Sequence, residues 1–303
     1  MAGNHGTNYA AIDIGSNAAR LLIKRVSEKA DGTPEFTKML MVRVPLRLGF
    51  DVFTIGKLTD KRERNMMKLM KSYHQLMEIY DVENYRACAT SAMRDAKNGK
   101  KIIKRIKEKT GIDIEIIEGK EEAKIVYNNH VECMEDRNGN YMYVDVGGGS
   151  TEVNLLSQGE LKYSHSYNIG TVRILNNVVK EGEWDQLKAD MRELSLRYPG
   201  TNIIGSGGNI NKLYRLAEKK DRKRLRITVE TLHELYDQLA ALTVEQRMEE
   251  FKLKPDRADV IVPAGEIFLT ISDIIHADYI YVPVIGLSDG IIDSLYTADK
   301  VWE

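Results

Sequence analysis

Residues 8–26, NYAAIDIGSNAARLLIKRV, and residues 141–157, YMYVDVGGGSTEVNLLS, follow one plan: an apolar run ending in aspartate, a glycine turn, and a second apolar run. Apolar runs of this length bounded by glycine turns read as paired β-strands. Asp13 and Asp145 occupy the same place in the two copies, 132 positions apart. A single turn of this kind is ordinary turn chemistry. Two copies, each opening about half of the chain, indicate an internal duplication of a β-hairpin unit. A chain of 303 residues is long enough for two domains of similar size.

Helices separate and follow the hairpins. Met66, Leu69, Met70, Tyr73, Leu76, Met77 and Tyr80 mark one buried stripe at helical spacing. Ile102, Ile103 and Ile106 mark a second helix, which stops at Gly111. A strand is expected at 112–117, with a helix beginning at Glu121. Leu232, Leu235, Tyr236, Leu239 and Leu242 mark a further helix. Strands alternating with helices imply an α/β fold, divided here into 1–124 and 125–303, the last helix being free to pack back on the first domain.

The composition excludes several classes. A net charge of −1 gives no global attraction to nucleic acid, so an anionic ligand must be held by local groups. Cys88 and Cys133 have no metal-ligand spacing and suit a reducing compartment. No apolar run approaches the roughly 18 residues of a membrane span, and residues 1–8 lack the apolar stretch of a signal peptide. A cytoplasmic protein without nucleic-acid or membrane partners is the expectation.

A glycine-rich turn uncovers backbone N–H groups and lets phosphate approach the main chain. Gly15, Ser16 and Asn17 in the first turn, and Gly147, Gly148, Gly149 and Ser150 in the second, are therefore candidate phosphate contacts. Asp13 and Asp145, at strand ends, are carboxylates placed to hold a divalent cation, and the turn folds Glu152 back near the end of the Asp145 strand. Glu121 and Glu122 begin a helix, and adjacent helical residues diverge by about 100°, so spacing alone does not choose between them as a base. Arg20 and Arg94 are candidate phosphate clamps. The run Lys219, Lys220, Arg222, Lys223, Arg224 and Arg226 offers a basic track or simply a solvated loop. Gly205-Ser206-Gly207-Gly208 is neither a dinucleotide fingerprint, since Ile210 replaces the third glycine, nor a P-loop. No G-x-S-x-G elbow supports a serine hydrolase.

Taken together, AIDIGSNAARLLI (11–23), TSAMRDAKN (90–98), IEIIEGKEEAKIVY (114–127), VDVGGGSTE (144–152), IGSGGNINKL (204–213), RADVIVPAGEIF (257–268) and VIGLSDGII (284–292) resemble the exopolyphosphatase and guanosine pentaphosphate phosphohydrolase family. The resemblance implies two actin-like, ribonuclease H-like domains of the sugar kinase, Hsp70 and actin superfamily with an interdomain cleft. It implies Glu122 as the base that activates water, and Mg²⁺ or another divalent cation served by Asp145 and Glu152, with Asp13 in the matching place. Gly15, Ser16, Asn17, Arg20, Arg94, Gly147 to Ser150, Gly207 and Gly208 would contact phosphate. The implied activity is hydrolysis of terminal phosphoanhydride bonds of polyphosphate. The alternatives are hydrolysis of guanosine pentaphosphate, or binding of guanosine tetraphosphate or polyphosphate without catalysis. A homodimer is possible. Ala18 stands where the family usually has serine, and Gly286-Leu287-Ser288-Asp289-Gly290 loses the cation of a Gly-Leu-Arg-Glu-Gly pattern. Ending at Glu303, the chain resembles the short, two-domain form.

Overall fold

The computed structural model describes residues 6–128, 138–283 and 286–301. The chain divides into two units, 1–129 with 287–303, and 130–286.

Unit 1 begins with an antiparallel meander, β1 (Thr7–Ile14), β2 (Ala19–Glu28) and β3 (Pro34–Val44). Helices α1 (Leu48–Ile55) and α2 (Asp60–Ile79) lead to β4 (Val82–Ala89), which pairs parallel to β1. Then come α3 (Ser91–Asp95), α4 (Gly99–Thr110), β5 (Ile114–Ile116), parallel to β4, and α5 (Gly119–Asn128). The sheet order is β3-β2-β1-β4-β5.

Unit 2 repeats this. Its meander is β6 (Asn140–Val146), β7 (Thr151–Ser157) and β8 (Glu160–Tyr167), followed by α6 (Thr171–Leu175) and α7 (Glu183–Arg197). Next are β9 (Asn202–Ser206), parallel to β6, α8 (Gly208–Leu216), β10 (Arg226–Thr228), α9 (Val229–Ala240), α10 (Val244–Glu250), α11 (Pro255–Ala258) and α12 (Ile261–Ile275). β11 (Tyr279–Tyr281) lies parallel to β9 and antiparallel to β10. The sheet order β8-β7-β6-β9-β11 matches unit 1 strand for strand, with β10 added at the edge. The expected duplication of the β-hairpin unit is thus present, and it extends to the order of the strands that follow.

The cores follow from strand alternation. Ile12, Ile14, Leu21 and Ile23 point to the face covered by Met66, Met70, Tyr73 and Met77 of α2 and Ile102 and Ile106 of α4. Tyr9, Ala11 and Leu22 point to the opposite face, where Ile125 of α5 and Leu287, Ile291 and Ile292 of α13 (Leu287–Val301) complete a second cluster. The division at residues 124 and 125 counts α13 with the second domain while letting it pack on the first; the structure groups it with unit 1, against β1, β2, β4 and α5. Gly290 makes that approach possible, because a Cβ there would lie 2.4 Å from the Ile125 carbonyl oxygen. In unit 2, Met142, Val144, Val153, Leu155 and Ile203 pack with residues of α7, α8, α9 and α12. Among the described residues, no helix is long and apolar enough to cross a membrane.

Candidate active site

Strand register in unit 2 aligns four polar residues across four neighbouring strands: Ser206 on β9, Asp145 on β6, Glu152 on β7 and Ser166 on β8. Residues opposite each other in a ladder share a face. Ser206 Oγ donates to Asp145 Oδ2 at 3.2 Å, and Ser166 Oγ donates to Glu152 Oε1 at 2.8 Å. Glu152 is buried and Asp145 half-buried. Like charges directly opposite on antiparallel strands repel, so this pairing carries a cost unless a cation comes between them. Two adjacent carboxylates are a hard-oxygen set that fits Mg²⁺, which retains waters and substrate oxygens rather than demanding a full protein cage. Among the described residues, no group of three or more His, Cys, Asp or Glu is placed to hold a metal ion. Gly207, with φ +96°, leaves room beside it: a Cβ there would lie 2.7 Å from Asp145 Oδ1.

The turn between β6 and β7 is closed by the Gly147 N–H donating to the Ser150 carbonyl at 2.9 Å. Helix α6 holds its remaining carbonyls. The Thr171 N–H donates to Gly147 O at 3.1 Å, and the Val172 and Arg173 N–H groups to Gly148 O at 2.8 and 3.3 Å. The buried Arg173 side chain donates from Nε to Gly149 O at 2.7 Å. A trans peptide points its C=O and the following N–H in opposite directions. Holding three consecutive carbonyls toward α6 therefore sends the N–H groups of Gly148, Gly149 and Ser150 the other way, as an anion nest requires. Gly170 allows the contact, since a Cβ there would sit 2.5 Å from the Gly149 carbonyl carbon and 2.6 Å from Gly148.

Unit 1 keeps this backbone plan. Gly15 N–H donates to Ala18 O at 3.1 Å, and at the start of α1 the Arg47 and Gly49 N–H groups donate to Asn17 O and Ser16 O, both at 2.8 Å. Arg47 adopts the left-handed region at φ 54° to make its bond. The side chains differ from unit 2. Opposite Asp13 stands Arg20, whose guanidinium bonds Asp13 Oδ2 at 2.6 Å, and opposite Arg20 stands Arg43. Ser16 Oγ and Ser91 Oγ are 2.8 Å apart in the interior. On the other side of Asp13 lies Cys88. Burial, reinforced by Glu115 and Asp13 against the pull of Arg86, pushes the Cys88 thiol up to about 12.

Local partners also distinguish the adjacent glutamates. Glu121 is exposed and bonded to Arg86 at 2.6 Å, in an ion pair that includes Glu115. Glu122 is half-buried, with Oε2 fully enclosed. Arg94 Nη1 donates to the Ile117 carbonyl at 2.8 Å, fixing the end of β5 that leads into α5. Gly207 is the residue before α8 and Gly208 its first residue.

The basic run has mostly structural occupations. Lys220 caps α8 through the carbonyls of Tyr214, Arg215 and Ala217, Lys219 faces Glu234, and Arg226 lies over the Tyr279 ring while pairing with Asp221. Gly170, Arg173, Arg47 and Gly49 escape a reading of spacing; only the repeated order of meander then helix points to them.

The sequence model of the Ppx/GppA phosphatase family matches residues 25–298. The chain belongs to that family. Three curated relatives illustrate its range. A bifunctional 3-dehydroquinate synthase/phosphatase of Fusobacterium nucleatum is 31% identical over 296 residues, covering 90% of this chain and 44% of that protein. A guanosine-5′-triphosphate,3′-diphosphate pyrophosphatase of Aeromonas salmonicida is 27% identical, covering 95% of this chain and 59% of that protein. Exopolyphosphatase 2 of Mycobacterium tuberculosis is 27% identical, covering 84% and 86%. The chain therefore spans about half the length of the first two and most of the third. Among solved structures, the Aquifex aeolicus member of the Ppx/GppA family superposes with a TM-score of 0.76 at 28% identity, covering 97% of this chain and 98% of that one. An exopolyphosphatase of Cytophaga hutchinsonii shares the fold at a TM-score of 0.83 and 21% identity.

Proposed function

We propose that this Ppx/GppA chain hydrolyses terminal phosphoanhydride bonds of inorganic polyphosphate, releasing phosphate. The observation that carries the reading is the Asp145–Glu152 carboxylate pair at the mouth of a turn whose N–H groups are aimed as an anion nest. A bound divalent cation would neutralise charge on the transferring phosphoryl group. Asp145 and Glu152 would hold it, while the N–H groups of Gly148, Gly149 and Ser150 take phosphate oxygens. Glu122 accepts the proton of the attacking water as its oxygen bonds to phosphorus and the anhydride bond breaks, the shortened chain leaving with the electron pair. Asp13, expected to serve the metal, is paired with Arg20 at 2.6 Å, and Arg20, Ser16 and Asn17 would be the phosphate contacts of unit 1.

The relative from Aeromonas salmonicida favours guanosine pentaphosphate as a second substrate. Phosphate release from tripolyphosphate, long polyphosphate and guanosine pentaphosphate, with magnesium and with EDTA, separates the readings. Release is expected with magnesium and lost in EDTA. Glu122→Ala should lower turnover at least about 100-fold at unchanged folding, as loss of a general base does. Glu121→Ala, which cuts an exposed ion pair, should change it little. Tight binding of any of these anions without phosphate release would convert the protein into a sensor, and equal effects of the two glutamates would remove Glu122 from the chemistry.

A further inference from the structure

We propose that Arg173 is a positioning residue that sets the anion affinity of the unit-2 turn by fixing the orientation of one peptide. The proposal rests on the reading of that turn as a phosphate site. Of the three carbonyls turned toward α6, those of Gly147 and Gly148 accept from backbone N–H groups, which no substitution of a side chain removes. The third, Gly149 O, accepts from the Arg173 Nε at 2.7 Å. The Gly149–Ser150 peptide is the step of the nest nearest the β7 strand that carries Glu152, and glycine at 149 offers little resistance to rotation. If that peptide turned over, its carbonyl dipole would face the phosphate where the Ser150 N–H now points, replacing attraction by repulsion.

The rest of the site shows how much is invested in this orientation. Arg173 is only 9% exposed, and arginine is rarely buried without a specific task. Its backbone is part of the same interlock, donating its own N–H to Gly148 O and accepting from Val178 N–H at 3.0 Å. Unit 1 solves the same problem with main chain alone: the equivalent carbonyl, Asn17 O, is held by the Arg47 N–H at 2.8 Å, at the expense of a left-handed residue. A charged donor on Gly149 O also polarises that peptide, strengthening the Ser150 N–H as a donor. Arg173 thus reaches the anion through the peptide.

The test is Arg173→Gln and Arg173→Lys, read by calorimetric binding of tripolyphosphate in EDTA, by KM and kcat for tripolyphosphate with magnesium, and by thermal unfolding. Arg173→Gln should weaken tripolyphosphate binding and raise KM by about 10- to 100-fold, the worth of one hydrogen bond from a charged donor. Arg173→Lys, which keeps a charged donor, should recover most of the loss, at an unfolding temperature like that of the glutamine variant. Binding in EDTA needs no turnover, so a chain that binds but never releases phosphate would defeat the proposed function while leaving this inference standing. Unchanged binding in Arg173→Gln overturns the inference, and so does a loss in both variants that follows the drop in unfolding temperature.

Discussion

Set side by side, the two hairpins have the same backbone and opposite electrostatics. In unit 2 the row reads Ser206, Asp145, Glu152, Ser166; in unit 1 it reads Cys88, Asp13, Arg20, Arg43. Glu152 and Arg20 are equivalent positions, each directly opposite the repeated aspartate. One exchange of charge turns a carboxylate pair suited to a cation into an ion pair that presents guanidinium groups. Duplication preserved what the main chain does, namely turns whose carbonyls are held from behind, and left the side chains free to diverge. The two copies need not repeat one function to share one fold.

The sharpest way to break this comparison is to copy one row into the other. Glu152→Arg should reduce magnesium-dependent phosphate release by about 100- to 1,000-fold, as removal of preorganised charge stabilisation does. Phosphate-release assays across a magnesium titration check it, and a variant that keeps its activity and metal response would refute the cation role of the pair. The backbone interlock is probed by glycine. Gly170→Ala should destabilise by about 1–3 kcal/mol through overpacking, because its Cβ would strike the main chain of Gly148 and Gly149. Gly49→Ala in unit 1 meets mainly the Phe53 ring and the Ser16 Cβ, and it gains about 1 kcal/mol of helix propensity, so a smaller net loss is expected. Thermal unfolding of the two variants ranks them; a larger loss at Gly49 would reverse the comparison.

The smallest effect is expected at Cys88, the counterpart of Ser206. Cys88→Ser places a hydroxyl where register lets it donate to Asp13, as Ser206 does to Asp145, and should shift stability by no more than about 1 kcal/mol. In the parent protein the thiol, pushed up to about 12 by burial, stays protonated at pH 8 and should resist alkylation until the chain unfolds. Peptide mass mapping after iodoacetamide treatment, with and without denaturant, reads this directly.

Much of the fold is legible in single segments. The stripe from Met66 to Met77 lies in α2, with Tyr80 as its C-cap, the glycine at 111 ends α4 at φ 74°, and both Asp-Gly hairpins form. These features are local, set by spacing within a few residues. Strands β3 and β8 are not marked in the same way, since β3 has no buried residue and β8 only Tyr167 at its end, leaving no apolar alternation to read. The site residues divide similarly. Asp145, Glu152 and the glycines stand out by pattern, whereas spacing alone does not separate Glu121 from Glu122, the first of which Arg86 engages in the fold. Arg173 and Gly170 carry no motif that spacing exposes.

By itself, then, the amino-acid order determined that the chain repeats a strand-turn-strand unit and which residues sit at the two turns, because hairpin chemistry acts over a few neighbouring residues. Only the tertiary structure decided that Ser206 and Ser166 flank the carboxylates and that Arg173 holds a glycine carbonyl from behind. It also showed that Asp13 is matched by an arginine while Asp145 faces a glutamate. Those facts depend on strand register and helix docking between segments distant in the chain, and no local pattern encodes which partners will meet.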